Sequence, residues 1–228
     1  MSVSVFLPVR KGSERVVEKN TRVFSGIQGG LLQLKLEQLQ KIKEVDEVVI
    51  STNDAKCYDI ATFWQKSFNK IKIVERPAGL GDSNTILSNL IVHAGEVCSS
   101  QHILWTHVTS PFFGPELYSE AIKKYIVALE NDSDSLVTGR KYRDYLLDVK
   151  SVKLINNHSV FTWPRTQDLN DCFEINNAVF LAAREFFRKG VRIGKKPFLM
   201  VTGKINSLDI DDEEDFKIAE AVYERFIK

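Results

Sequence analysis

Cysteine is scarce. Cys57, Cys98 and Cys172 stand alone, with no Cys-x-x-Cys pair and no His flanking them at zinc spacing. This excludes a disulfide framework and structural zinc, and leaves buried or incidental thiols. Neither sign of charge is in excess: 31 Lys and Arg face 30 Asp and Glu. No general attraction to nucleic acid or membrane is expected, so any anion site must be local. No run approaches the roughly 18 apolar residues of a spanning helix. The N-terminus enters an apolar strand without a basic segment or a small-residue cleavage site. The expectation is a soluble, reduced, cytoplasmic protein. Repeats, linkers and low-complexity segments are missing too. So are the P-loop spacing and the Gly-x-Gly-x-x-Gly fingerprint, which disfavours an ordinary ATPase or dehydrogenase.

What is present suits a packed core. Apolar residues make up 43% of 228, which fits a single domain spanning residues 1–228. Short apolar runs predict strands at Val3–Pro8, Glu47–Ser51, Lys70–Val74, His102–Val108, Ser135–Thr138, within Tyr145–His158, and at Ala178–Ala182. Leu199–Thr202 and Ser207–Ile210 are short and apolar, the latter read as a strand. Helical spacing marks Leu31–Ile42, Tyr58–Phe68, Thr85–Val97, Pro115–Glu130, Arg184–Arg188 and Asp212–Ile227. In Thr85–Val97 the apolar side carries Ile86, Leu90 and Val97. In the last helix Phe216, Ala219, Val222, Tyr223 and Phe226 are expected to face the core. Thr52, Asn53 and Asp54 form an N-cap cluster. Strands alternating with helices argue an α/β fold, a three-layer α/β/α arrangement with a mostly parallel, Rossmann-like sheet. The stretch from about 140 to 176 lacks a clean helix and reads as an excursion from the sheet. Ligands of such sheets bind beyond the carboxyl ends of the strands, so the segments after Pro8, Ile50, Val108 and Ile210 are the ones to search.

Pro8 to Asn20 carries Arg10, Lys11, Arg15 and Lys19 within ten residues at a strand end. Gly12 lets backbone approach an anion, Ser13 adds a hydroxyl donor, and arginine can grip two phosphate oxygens at once. Triphosphate binding suits this set; a basic surface loop is the bland alternative. At the other end of the chain, Asp209 and Asp211 are two apart. In a strand they would share a face and offer two carboxylates to Mg²⁺. The acidic first turn of a helix is the competing reading of the same run.

The pattern Pro8-x-Arg10-x-Gly12-Ser13, followed by Lys19-Asn20, resembles the signature of the CMP-sialic acid synthetases (acylneuraminate cytidylyltransferases), of which CMP-Kdo synthetases share a looser version. The resemblance continues, in family order, to about Glu220. Ser51-Thr52-Asn53-Asp54 is similar to the family's turn after strand two. Arg76-Pro77, with Leu80 and Asp82 and then Ser83, resembles a segment near the nucleotide. Thr109-Ser110-Pro111 matches a Thr-Ser-Pro, with His107 where the family has Gln. Arg165-x-Gln167-Asp168-Leu169 resembles the arm that reaches across a dimer. Glu174-x-Asn176-Asn177-Ala178 keeps Asn and Ala but replaces the family's Arg with Glu and its Gly with Asn. Leu208-Asp209-Ile210-Asp211 resembles the metal-binding end.

The resemblance implies a nucleotide-diphospho-sugar transferase type of fold, with residues 140–176 as a dimerisation arm. It implies a cytidylyltransferase joining CMP from CTP to an acidic, nonulosonic sugar, with pyrophosphate released. Arg10, Gly12, Ser13, Lys19, Asn20, Arg76, Asp82 and Ser83 would bind the nucleotide. His107, Thr109, Ser110, Arg165, Gln167 and Asn176 would bind the sugar, with Arg140, Lys141 and Arg143 adding charge. Asp209 and Asp211 would hold Mg²⁺, and Arg10, Lys19, Asp209 and Asp211 would carry the catalysis. A homodimer with shared sites is expected, with no nucleic acid or membrane partner. The departures at His107 and Glu174 bear on the sugar and keep two alternatives open: an enzyme using Kdo or another sugar, and a non-catalytic nucleotide-binding homologue.

Overall fold

A computed structural model describes residues 1–13, 15–81 and 85–228; the expected contacts of Asp82 and Ser83 lie outside the described residues. Seven strands form the main sheet. They are β1 (Val3–Val9), β2 (Glu47–Thr52), β3 (Ile71–Glu75), β4 (His102–Trp105), β5 (Ser135–Tyr142), β8 (Cys172–Ala183) and β9 (Pro197–Val201). Their order is β3-β2-β1-β4-β8-β5-β9, and every pairing is parallel except the two made by β8. The expected mostly parallel α/β sheet is therefore present. A separate two-stranded hairpin, β6 (Leu147–Asp148) with β7 (Lys153–Leu154), lies in the excursion between β5 and β8.

The helices are α1 (Gly30–Gln40), α2 (Ala55–Gln65), α3 (Leu87–Val97), α4 (Pro115–Glu130), α5 (Arg184–Arg188) and α6 (Glu213–Phe226). Successive strand residues face opposite sides of a sheet, and β1 divides accordingly. Val5, Leu7 and Val9 join a core with Leu32, Leu36, Tyr118, Ala121 and Phe216, from α1, α4 and α6. Phe6 joins Trp105, Phe180, Ile91 and Phe187 on the other face, under α3 and α5. Helices thus cover both faces, which gives the three layers. Among the described residues no helix is long and apolar enough to cross a membrane.

Several expected boundaries shift, each for a physical reason. β4 stops at Trp105 rather than Val108, because the chain leaves the ladder to form the loop described below. β8 is twelve residues long, not five. Its first half, Cys172–Asn177, pairs with the outer half of β5, and that largely exposed ladder has no continuous apolar run to mark it in the sequence. Ser207–Ile210 is not a strand: a turn at Lys204–Ser207 leads into an extended stretch without a ladder partner. Two expected core residues are exposed, Ile86 just ahead of α3 and Phe226 at the end of α6. Asp54 caps α2, as the Thr52–Asp54 cluster suggests, by accepting from the Lys56 N–H.

Candidate active site

The carboxyl ends of β1 and β4, the middle of β8 and the segment after β9 meet at one side of the sheet. There they enclose a pocket of about 580 Å³, within the size range of small-molecule sites. Pro8, Arg10, Ser13, Arg15, Lys19 and Asn20 form one wall, and His107, Val108 and Thr109 another. Asn177, Asp209 and Asp211 join them, with Leu87 and Arg192 from the α3 and α5 side.

The loop after β1 is fixed from within. Gly12 sits at φ +79°, a left-handed conformation that other residues adopt reluctantly. Asn20 Nδ2 donates to the Arg10 carbonyl at 3.0 Å, and the Lys11 N–H donates to Asn53 Oδ1 at 2.9 Å. The segment after β2 therefore reaches the site as a brace, not as a wall. Lys19 Nζ donates to the Ile210 carbonyl at 2.7 Å, and the Ile210 N–H donates to the Thr109 carbonyl at 2.9 Å. Buried Ile210 is thus clamped on both sides. The extended backbone around it keeps Asp209 and Asp211 on the pocket side, although no strand is present. Burial lowers the Lys19 ammonium from its ordinary value, against the pull of Asp211 and Asp209.

The two carboxylates differ. Asp211 is half exposed and pairs with Arg15 at 2.8 Å. Asp209 Oδ2 accepts from Asn177 Nδ2 at 3.0 Å, while its Oδ1 is buried with no hydrogen-bond partner among the described residues. Burial pushes the Asp209 carboxyl up, and neighbouring Asp211 adds to the rise. An orphaned carboxylate oxygen beside a second carboxylate fits a hard divalent cation. No group of three or more His, Cys, Asp or Glu gathers among the described residues. The rest of a coordination shell would therefore fall to phosphate oxygens and water. Asn177, where the resembled family has Gly, adopts φ +57°, so the left-handed turn survives the substitution.

His107 lines the pocket with its ring state determined. Trp105 Nε1 lies 2.8 Å from His107 Nε2. An indole N–H can only donate, so Nε2 is the acceptor and the proton sits on Nδ1. Burial, reinforced by the Arg192 charge, holds the imidazole down to about 3. His107 is therefore a neutral hydrogen-bond donor.

Other expected site residues lie elsewhere. Ser110 is buried on the core side, its carbonyl accepting from Lys35 Nζ at 2.9 Å. Arg76 is buried with Nη2 donating to the Ser51 carbonyl at 2.8 Å, so it braces the end of β2. Asn176 sits in a buried network with Thr138, Thr202 and Ser207, one position away from the pocket-lining Asn177. Arg165 and Gln167 are exposed on the excursion, and Arg165 pairs with its neighbour Asp168 at 2.8 Å. Each cation of the basic cluster is already engaged, Arg140 with Glu174, and Lys141 and Arg143 sharing Asp171. Glu174 thus finds its countercharge directly across the β5–β8 ladder. Arg192 lines the pocket without any motif marking it, because its neighbours there come from strands distant in sequence.

A family model described as cytidylyltransferase matches residues 4–225. The chain is similar to the post-translational flagellin modification protein B of Campylobacter coli, 22% identical, with 92% of this chain and 90% of that protein covered. Among solved structures it is similar to a CMP:2-keto-3-deoxy-manno-octonic acid synthetase complexed with CTP, at TM-score 0.67 and 11% identity, covering 99% of both chains. A 4-diphosphocytidyl-2C-methyl-D-erythritol synthase from Anaerococcus prevotii matches at TM-score 0.64 and 16% identity, covering 98% of this chain and 99% of that one. At these identities the likeness of the solved structures is one of fold.

Proposed function

The chain belongs to the cytidylyltransferase family, and on that premise we propose that it transfers CMP from CTP to the anomeric hydroxyl of an acidic, sialic-acid-like sugar. The observation that carries this reading is the pocket itself. Arg10 and Lys19 line one cavity together with Asp209 and the Arg15–Asp211 pair, a set of charges suited to a triphosphate and a divalent cation together. The acidic acceptor is supported by the motif resemblance and by the name of the Campylobacter coli relative, a flagellin modification protein. The octonic acid named for one solved structure gives the second acceptor class to assay.

In the proposed reaction the sugar hydroxyl oxygen forms a bond to the α-phosphorus. The bond from that phosphorus to the bridging oxygen of the β-phosphate breaks, and pyrophosphate leaves. Arg10, Ser13 and Lys19 hold the triphosphate and the departing pyrophosphate by charge-assisted hydrogen bonds. Asp209 and Asp211 would hold a magnesium ion, which when bound neutralises charge developing on the phosphate oxygens. His107 does not take the hydroxyl proton, because its one ring lone pair is occupied by the Trp105 N–H. That proton passes to solvent.

The excursion between β5 and β8 is proposed to serve a homodimer. It presents Val160, Phe161 and Trp163 at 95%, 69% and 69% exposure, more apolar surface than a solvated loop usually shows. Arg165 and Gln167 ride on the same segment and would complete the partner's sugar site. The direct test is pyrophosphate release from CTP with Mg²⁺ across a panel of 2-keto-3-deoxy acids and neutral sugars. Release with an acid and not with a neutral sugar is expected. Release with no acid, or equally well with ATP in place of CTP, would refute the reading.

A further inference from the structure

Arg192 is a cation of this pocket that the reaction above does not use. It lies in the loop between α5 and β9. β8 is antiparallel to β4, so that loop begins at the end of the sheet opposite the pocket: Ala183, the last residue of β8, pairs with His102, the first of β4. The side chain lies over the sheet face, its guanidinium carbon 3.7 Å from the ring centroid of Phe180 and 5.3 Å from that of Trp105. Phe180 and Trp105 are register partners on β8 and β4, so the two strands together make one aromatic floor. Trp105 also donates to His107, which connects the floor to the donor already identified.

Among the described residues the guanidinium is desolvated and uncompensated. Burial lowers it to about 10, with no carboxylate working against the shift, and it forms no ion pair among the described residues. It stays charged at neutral pH all the same. Aromatic faces support its plane but leave its edge N–H groups unused. A half-buried arginine with a free edge on a pocket wall suits a planar anion taken by two parallel hydrogen bonds. The triphosphate already has Arg10, Arg15 and Lys19 on the loop after β1, whereas Arg192 stands beside His107 on the β4–β8 side. The position of the family's lost arginine, Glu174, is itself tied up with Arg140.

We infer that Arg192, laid over Phe180 and Trp105 beside the neutral donor His107, receives the carboxylate of the acid substrate and so determines its class. The inference rests on the acidic-acceptor reading above. One guanidinium matches one carboxylate in charge, and His107 Nδ1–H adds a donor without adding charge. A neutral sugar or a carboxylate ester would leave the cation buried and unpaired, so the site discriminates by exclusion as well as by attraction.

The test is titration calorimetry on the full chain saturated with CMP. The ligands are N-acetylneuraminic acid and 2-keto-3-deoxy-octonic acid, each beside its methyl ester, with CTP affinity measured separately. The wild type is expected to prefer one of the acids to its ester by at least about tenfold, the scale of a charged hydrogen-bonded pair. Arg192→Gln is expected to erase that preference while CTP affinity changes by less than about twofold. Arg192→Lys keeps the charge but loses the fork, and is expected to fall between. Thermal melting confirms that both variants are folded. The inference is overturned if Arg192→Gln keeps the acid-over-ester preference, if it weakens CTP instead, or if the wild type binds acid and ester alike. Failure of the underlying reaction is read separately, as absence of pyrophosphate release by the wild type.

Discussion

At the scale of single residues, Asp209 combines a catalytic expectation with a structural liability. Its carboxyl is pushed up by burial, so the charged form opposes folding. Asp209→Asn keeps the Asn177 contact and removes the charge. Turnover is expected to fall by at least about 100-fold, as for loss of a group that stabilises developing charge, while the melting temperature holds or rises. Near-normal pyrophosphate release by this variant would remove Asp209 from the mechanism. Lys35 makes a different prediction. It is fully buried, donates to the Ser110 carbonyl and the Tyr118 hydroxyl, and burial lowers it to about 7. Its folded value lies below its unfolded one, so between the two the unfolded chain binds more protons. Stability contributed by this group therefore rises as pH climbs above about 7 and is lost below it. The stability of the wild type relative to Lys35→Met should climb between pH 7 and 9, by up to about 1 kcal/mol per pH unit. A difference that stays flat over that range in denaturant melts would contradict it.

At the scale of elements, the segment from Ile210 into α6 joins the site to the fold. Asp212 caps α6 by accepting from the Glu214 and Asp215 N–H groups, and Asp215 returns the contact to the Asp212 N–H, completing a capping box. Asp215 also receives the Asp211 N–H at 3.0 Å, so the cap helps orient the acidic pair. Asp212→Ala is expected to destabilise by about 1 kcal/mol, or roughly 2–4 °C in melting temperature for a chain of this size. Calorimetry checks this, and an unchanged melt would mean that the helix start is held by packing alone. The acidic run on either side of Ile210 thus supports both readings open to it in the sequence: Asp212 and Asp215 serve the helix, whereas Asp209 and Asp211 face the pocket. At the far end of the sheet, Gly139 marks the register shift in β5. A Cβ there would stand 2.3 Å from the Glu174 carbonyl oxygen, so the close approach of β5 and β8 demands glycine.

At the scale of the whole molecule, Asp82 and Ser83 aside, the pocket gathers only some of the expected site residues. Arg10, Ser13, Lys19, Asn20, His107, Thr109, Asp209 and Asp211 line it, while Arg165 and Gln167 lie on the outlying arm. A proposed partner subunit would resolve that separation. Replacing exposed Phe161 and Trp163 together with Asp should convert a dimer to a monomer in sedimentation and raise KM for the acid, leaving the melting transition largely intact. A wild type that sediments as a monomer at full activity would refute the arm's role.

The sequence by itself determined the alternation of strands and helices, because period-2 and period-3.6 apolar patterns report which face is buried. It also determined the basic loop after β1, whose charges and glycine lie within one short segment, and the acidic pair near the C-terminus. It did not determine how that pair is presented: clamping of the Ile210 backbone by Lys19 and Thr109 does so, not a strand. The tautomer of His107 depends on an indole N–H whose geometry only folding sets. Arg192 carries no local signal at all. Its placement follows from β8 running antiparallel beside β4, which sets Phe180 next to Trp105 and lets the loop after α5 lay Arg192 across them. Local patterns encode what one segment buries. A site built from side chains on several separate segments exists only once the strand order is established.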